Sequence, residues 1–75
     1  MQPYNSKVVT IHALQFLGDA HTHPAIKYDD SKEEHFVETL EGPLTIRRGD
    51  WLIRGTEGEF YPCKDSVFTR KYEHA

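Results

Sequence analysis

The stretch that decides the fold is Gly42-Pro43-Leu44-Thr45-Ile46-Arg47-Arg48-Gly49-Asp50-Trp51-Leu52-Ile53-Arg54-Gly55-Thr56-Glu57-Gly58-Glu59-Phe60-Tyr61-Pro62-Cys63. Short apolar runs alternate in it with glycine. Leu44 and Ile46 share one face of a period-2 strand, and Thr45 and Arg47 share the other. Arg48-Gly49-Asp50 has turn chemistry: glycine reaches positive φ, and aspartate bonds its own backbone. Trp51-Leu52-Ile53-Arg54 is rich in β-favouring side chains. Gly55-Thr56-Glu57-Gly58 is a second turn. Glu59-Phe60-Tyr61 is a third strand, with Pro62 limiting how far it donates to a ladder. The stretch therefore predicts a three-stranded meander.

Upstream, Val8-Val9-Thr10-Ile11-His12-Ala13-Leu14-Gln15-Phe16 carries apolar groups on both faces. A strand of this kind is covered on both sides or bends across a barrel. Ala25-Ile26-Lys27-Tyr28 fits a short edge strand. Asp29-Asp30-Ser31-Lys32-Glu33-Glu34 is an acidic, solvated turn, with docking of a basic partner as its functional reading. His35-Phe36-Val37-Glu38-Thr39-Leu40 is a further strand, turned by Glu41-Gly42-Pro43 into a hairpin. Lys64-Asp65-Ser66-Val67-Phe68 predicts one helical turn with Asp65 as its cap. Thr69-Arg70-Lys71-Tyr72-Glu73 is expected to return as a last strand. Residues 1–7 are polar, and 1–6 are expected to fray. The expected fold is all-β: one small domain over residues 1–75, a five-stranded curled antiparallel sheet or partly open barrel with one short helical turn near the C-terminus. Trp51, Ile53, Phe60, Leu44, Ile46, Phe36, Leu40 and Ile11 are its expected core.

A 75-residue chain buries little apolar area, so an oligomer, a metal or a ligand is expected to add stability. A disulfide within the chain is excluded, because Cys63 is the single cysteine, which suits a reducing compartment. The N-terminal residues lack a basic start and an apolar run. No stretch approaches the roughly 18 apolar residues of a membrane span. These features predict a cytosolic protein with no membrane partner. Residues 1–42 carry three lysines against seven acids, and residues 43–75 carry six basic side chains against five acids. Non-specific nucleic-acid binding needs a broad basic surface, which this balance disfavours.

The segment Gly49-Asp50-Trp51-Leu52-Ile53-Arg54-Gly55-Thr56-Glu57-Gly58-Glu59-Phe60-Tyr61-Pro62-Cys63-Lys64 resembles a widespread family of small bacteriophage and prophage proteins. Those proteins carry GD-(aromatic)-I-I-(basic)-G-x-x-G-E-F-Y-P-C-K, then P-D-I-F and a tyrosine near the end. Asp65, Val67, Phe68 and Tyr72 match the later positions. Thr39-Leu40-Glu41-Gly42 matches a T-L-E-G that often precedes the segment, and residues 8–16 are similar to the family's opening strand. The chain departs from the pattern at His12, where an acid is common, in the missing proline after Lys64, and in a shorter loop over 18–34. The resemblance implies a phage accessory gene and a small β fold. It transfers no reaction.

His21, His23 and His35 supply zinc-ligand chemistry, and in an extended segment His21 and His23 project to the same side. No CxxC or HExxH pattern frames them, and solvent-facing loop histidines are the plainer reading. Cys63 is read as a buried structural thiol, because a nucleophile needs a base and a lowered pKa. No carboxylate pair stands out for acid–base work, no cofactor is implied, and the expectation is a protein without catalytic activity. Arg47, Arg48, Trp51, Arg54, Tyr61 and Lys64 form the candidate ligand set. Guanidinium groups suit phosphate or carboxylate, and aromatic faces suit a base. Arg54 and Tyr61 lie near opposite ends of a hairpin and are expected to be neighbours. The competing reading is a solvated strand exterior with an Arg54–Glu59 pair.

The expected function is a phage-encoded binding protein in the host cytoplasm, a homo-oligomer serving counter-defence or host takeover. It would bind a host protein or sequester a small anionic, nucleotide-like immune signal. The alternative is a minor phage structural or assembly protein that oligomerises through β edges.

Overall fold

The computed structural model describes residues 1–5, 9–19 and 22–74. In chain order they form β1 (Gln2–Asn5), β2 (Thr10–Gln15), β3 (Ile26–Asp29), β4 (Glu34–Thr39), β5 (Gly42–Ile46), β6 (Trp51–Arg54), β7 (Phe60–Cys63), α1 (Asp65–Lys71) and β8 (Glu73–His74). A five-stranded antiparallel sheet has the order β7-β6-β2-β1-β8, and a three-stranded one has the order β3-β4-β5. The fold is all-β with one short helix, and the two sheets do not close into a barrel.

The five-stranded sheet is a wall between two cores. Register places Ala13 beside Ile53 and Leu14 beside Leu52. Because side chains alternate along a strand, the first pair faces one side and the second pair faces the other. Ile11, Ala13 and Ile53 pack with Phe68 and Tyr72 of the C-terminal segment, joined by half-buried Tyr4, Trp51, Tyr61 and Cys63. Phe16 and Leu52 pack with Ile26, Val37 and Ile46 of the smaller sheet, joined by Leu14 and Phe60. The layers are therefore helix, five-stranded sheet and three-stranded sheet. Leu52 and Ile53 are adjacent in sequence and both 0% exposed. That is possible only for a strand covered on both faces, as the opening strand's double apolar pattern predicted for β2.

Several expectations are corrected. The meander over residues 44–61 is broken: β5 pairs with β4, whereas β6 pairs with β2 and β7. The turn at Arg48-Gly49-Asp50 is real, with Asp50 N–H donating to Arg47 O at 2.9 Å and Arg47 N–H to Asp50 Oδ2 at 2.8 Å. Its backbone is captured by the end of β2: Gly49 N–H donates to Phe16 O at 2.7 Å, and Phe16 N–H to Asp50 O at 2.8 Å. Those bonds turn a hairpin bend into a corner that carries the chain from one sheet to the other.

The expected frayed terminus is also wrong for Gln2–Asn5, which pairs along β2 and meets β8 at Tyr4 and Asn5. Tyr4 supplies the reason, with edge-on ring contacts to Trp51 at 5.4 Å and Phe68 at 4.9 Å. Pro3 is tolerated because β8 reaches only Tyr4 and Asn5 on that side. The helix runs on through Thr69–Lys71, which were expected to be strand, and only Glu73–His74 returns to the sheet. Phe68 and Tyr72, one helical turn apart, both enter the core. Lys64, not Asp65, occupies the N-cap position and makes no side-chain cap.

Among the expected core residues, Ile11, Ile46 and Ile53 are buried, and Trp51, Phe60 and Phe36 are half-buried. Leu40 is 85% exposed at the tip of the β4–β5 hairpin, and Leu44 is 42% exposed on the edge strand β5. The buried core side chains that the sequence reading left out are Ala13, Phe16, Ile26, Val37, Leu52, Phe68 and Tyr72.

Candidate functional site

The six candidate ligand residues fall in separate places. Trp51 stacks on Phe68 at 4.0 Å between centroids, with planes 10° apart, and its Nε1–H donates to Asp65 Oδ1 at 2.8 Å. It is the floor under the helix. Tyr61 lies on the same side, paired in register with Ile53. Burial, then a hydrogen bond with the Tyr72 side chain, pushes its phenol well above the ordinary range. Arg54 pairs with Phe60 and so faces the other way. The hairpin register separates Arg54 and Tyr61, which were expected to be neighbours. Lys64 sits at the helix start. Arg47 and Arg48 border a cleft of about 240 Å³ that Phe16, Glu33, Glu34 and His35 also line. Glu59, the expected partner of Arg54, folds over its own turn, and its Oε1 accepts the Glu57 N–H at 3.1 Å.

Groups suited to chemistry are engaged in packing. His35 stands between Phe16 and Tyr28, 4.9 Å from each ring centroid. His23 accepts the Ala25 N–H on Nδ1 at 3.0 Å and lies 5.2 Å from the Phe60 ring. Its pKa is lowered by burial, then by the N-terminal ammonium and by Arg54. His21 lies outside the described residues. Among the described residues no group of three or more His, Cys, Asp or Glu side chains is placed to hold a metal ion. Cys63 is half-buried against the helix-side core, and burial raises its pKa, the direction opposite to activation.

What the fold does present is the outward face of the three-stranded sheet. Alternation along β4 sends Val37 inward to full burial and Glu34, Phe36 and Glu38 outward. Lys27 and Asp29 of β3 join them on that face, as do Pro43 and Thr45 of β5. Asp29, Lys32, Glu34, Phe36, Glu38, Pro43 and Thr45 line a cleft of about 180 Å³ there. The β3–β4 turn closes one end. Asp29 Oδ1 accepts from Ser31 Oγ at 2.7 Å and Ser31 N–H at 2.9 Å, and the Ser31 hydroxyl is the main reason its carboxyl pKa is lowered. The Thr45 hydroxyl donates to Glu34 Oε2 at 3.2 Å and fixes that carboxylate beside the phenylalanine. The Glu38 side chain has no hydrogen bond or ion pair among the described residues.

The sequence reading assigned Phe36 to the core. The available signal was the spacing Glu34-x-Phe36-x-Glu38, in which both carboxylates must share the phenylalanine's face. Residues 26–46 hold six acids and two lysines, while the rest of the chain holds six acids and seven basic side chains. The acidity of the protein thus resides in the smaller sheet and its turns. No helix among the described residues is long and apolar enough to cross a membrane. No protein-family model, curated protein or solved structure matches the chain.

Proposed function

We propose that this chain is a phage-encoded, non-catalytic binding protein that captures a host protein in the bacterial cytoplasm, in the service of counter-defence or host takeover. The observation that carries the reading is the outward face of β3–β5, uncovered among the described residues, whose cleft sets Asp29, Glu34 and Glu38 around Phe36 with Lys32 at the turn. Two further features support it. The phage-like segment over residues 49–64 supplies the biological setting. The histidines His23 and His35 and the thiol of Cys63 are committed to packing or backbone hydrogen bonds. Sequestration of a nucleotide-like anion is the less favoured form of the same idea, because Arg47, Arg48, Trp51, Arg54, Tyr61 and Lys64 are spread over different faces.

The test is reconstitution. A protein captured from host lysate is identified, purified separately and mixed with this chain. A stoichiometric complex on sedimentation supports the reading. Heat of binding with cyclic or linear nucleotides, without any reconstituted protein complex, overturns it in favour of sequestration. Recovery of the chain in purified phage particles, without a host complex, overturns it in favour of an assembly role.

A further inference from the structure

We infer that the outward face of β3–β5 seats a basic, extended segment of the partner protein, with one arginine or lysine side chain laid across the ring of Phe36 and its charged head between Glu34 and Glu38. The inference rests on the binding function proposed above and gives its partner a chemistry.

Three observations combine. First, Phe36 is the aromatic floor of a cleft whose other outward β4 residues are both glutamates. The face of an aromatic ring attracts a cation, and long basic side chains lay their methylene stems on apolar surface while the head stays polar. Pro43 adds an apolar wall on the β5 side. Second, the carboxylates are not equivalent. Lys32 lines the turn end of the cleft and Lys27 stands opposite Phe36 without lining it, so Asp29, Glu34 and Glu38 outweigh the two lysines of this face by one charge. Glu34 is oriented by Thr45, and the Glu38 carboxylate at the far end has no partner among the described residues. An incoming cation therefore meets its complement between Glu34 and Glu38. Third, the same carboxylates repel phosphate and carboxylate ligands, so the face selects for charge as well as shape. A sheet face also favours an extended occupant, whose alternate side chains point to one side.

Fluorescence anisotropy with a labelled peptide alternating arginine and alanine tests this. The matched peptide carries citrulline, which keeps the shape and removes the charge. The full chain is expected to bind the arginine peptide and to discriminate against citrulline. Replacing both carboxylates, Glu34→Gln with Glu38→Gln, is expected to weaken binding by about tenfold. Phe36→Leu keeps an apolar side chain but removes the ring face, and is expected to weaken binding by roughly threefold to fivefold. Glu57→Gln with Glu73→Gln removes two acids elsewhere on the molecule and is expected to leave the affinity unchanged.

Equal affinity for the two peptides overturns the inference. So does equal weakening by the two double variants, which would reduce the effect to net charge, or wild-type affinity in Phe36→Leu. A host protein reconstituted equally well with the Glu34→Gln, Glu38→Gln chain would overturn the inference and leave the proposed function standing. Failure to reconstitute any host protein would remove the function itself.

Discussion

The two sheets of this molecule meet across one core, yet their outward faces are opposites. The outward face of the five-stranded sheet lies under α1, where Trp51 stacks on Phe68 and Tyr4 meets both rings edge-on. Among the described residues the outward face of the three-stranded sheet has no such cover, and Asp29, Glu34 and Glu38 line its cleft together with Lys32. The difference is already written in the strands. β6 is apolar on both faces and demands two covers, whereas β4 alternates glutamate, phenylalanine and glutamate against histidine and valine. One face serves stability, and the other is the one proposed to meet a partner. Substitutions that break this division of labour should therefore produce unequal effects on folding and on binding.

The largest effect belongs to the helix side. Phe68→Ala removes a ring that is 2% exposed and touches Trp51, Tyr4 and Tyr72. Truncating a buried phenylalanine costs about 3–5 kcal/mol, a large share of what a domain of this size holds. Urea unfolding should show the midpoint collapsing, whereas Phe36→Leu on the opposite outward face should cost under about 1.5 kcal/mol. Similar losses at the two positions would erase the contrast.

Next comes the polar tie on the same side. Trp51→Phe preserves a stacking ring but deletes the Nε1–H bond to Asp65 at 2.8 Å. Asp65 is exposed, so water compensates in part and the loss should be roughly 1 kcal/mol. Asp65→Asn with intact Trp51 should cost less, because its amide oxygen still accepts. The two single changes and the double, compared by urea titration, give the coupling directly.

How much of this contrast was legible in the sequence depends on whether a contact is local. The β4–β5 hairpin could be read because Thr39-Leu40-Glu41-Gly42 carries its own turn chemistry, with Gly42 at φ +100°. The double burial of β2 could be read from apolar residues at odd and even positions. β1 could not, since Gln2-Pro3-Tyr4-Asn5 has one aromatic side chain, and that ring finds its partners at Trp51 and Phe68. The corner at Gly49 looked like a hairpin because the bonds that redirect it come from Phe16, remote in sequence. For the same reason Arg54 and Tyr61 were expected to be neighbours and are not. Faces within one strand follow from alternation, but whether Arg54 meets Phe60 or Tyr61 depends on register, which no local signal specifies. Trp51 and Tyr61, chosen as ligand-facing aromatics, are packed on the helix side. Phe36, assigned to the core, faces outward between two glutamates.

A gain in stability is expected at the turn that closes the acidic face. Glu33 sits at φ +53°, the left-handed region that carries a penalty of about 1–2 kcal/mol for a residue with a Cβ. Glycine removes that penalty but adds freedom to the unfolded chain, worth about 0.4–1 kcal/mol. Glu33→Gly should therefore raise stability by roughly 0.5–1 kcal/mol. Since Glu33 does not line the cleft over Phe36, affinity for the arginine peptide should stay within about twofold, the small change expected for one charge at an exposed rim. Glu33→Ala, which keeps the Cβ, should show no comparable gain.

The smallest effect lies between the sheets, where His23 rests on the Phe60 ring that packs into the sheet–sheet core. Its pKa is lowered from 6.5, by burial first and then by the N-terminal ammonium and Arg54. In the window between that folded value and 6.5, the unfolded chain binds more protons than the folded one. Stability should therefore be complete above pH 6.5 and decline as the pH falls through the folded pKa. Protonation at Nδ1 would also remove the acceptor for the Ala25 N–H. His23→Asn leaves a side-chain oxygen able to accept that bond and does not titrate. Urea midpoints measured across the window should slope less in this variant than in the wild type. Parallel slopes would place the acid sensitivity elsewhere.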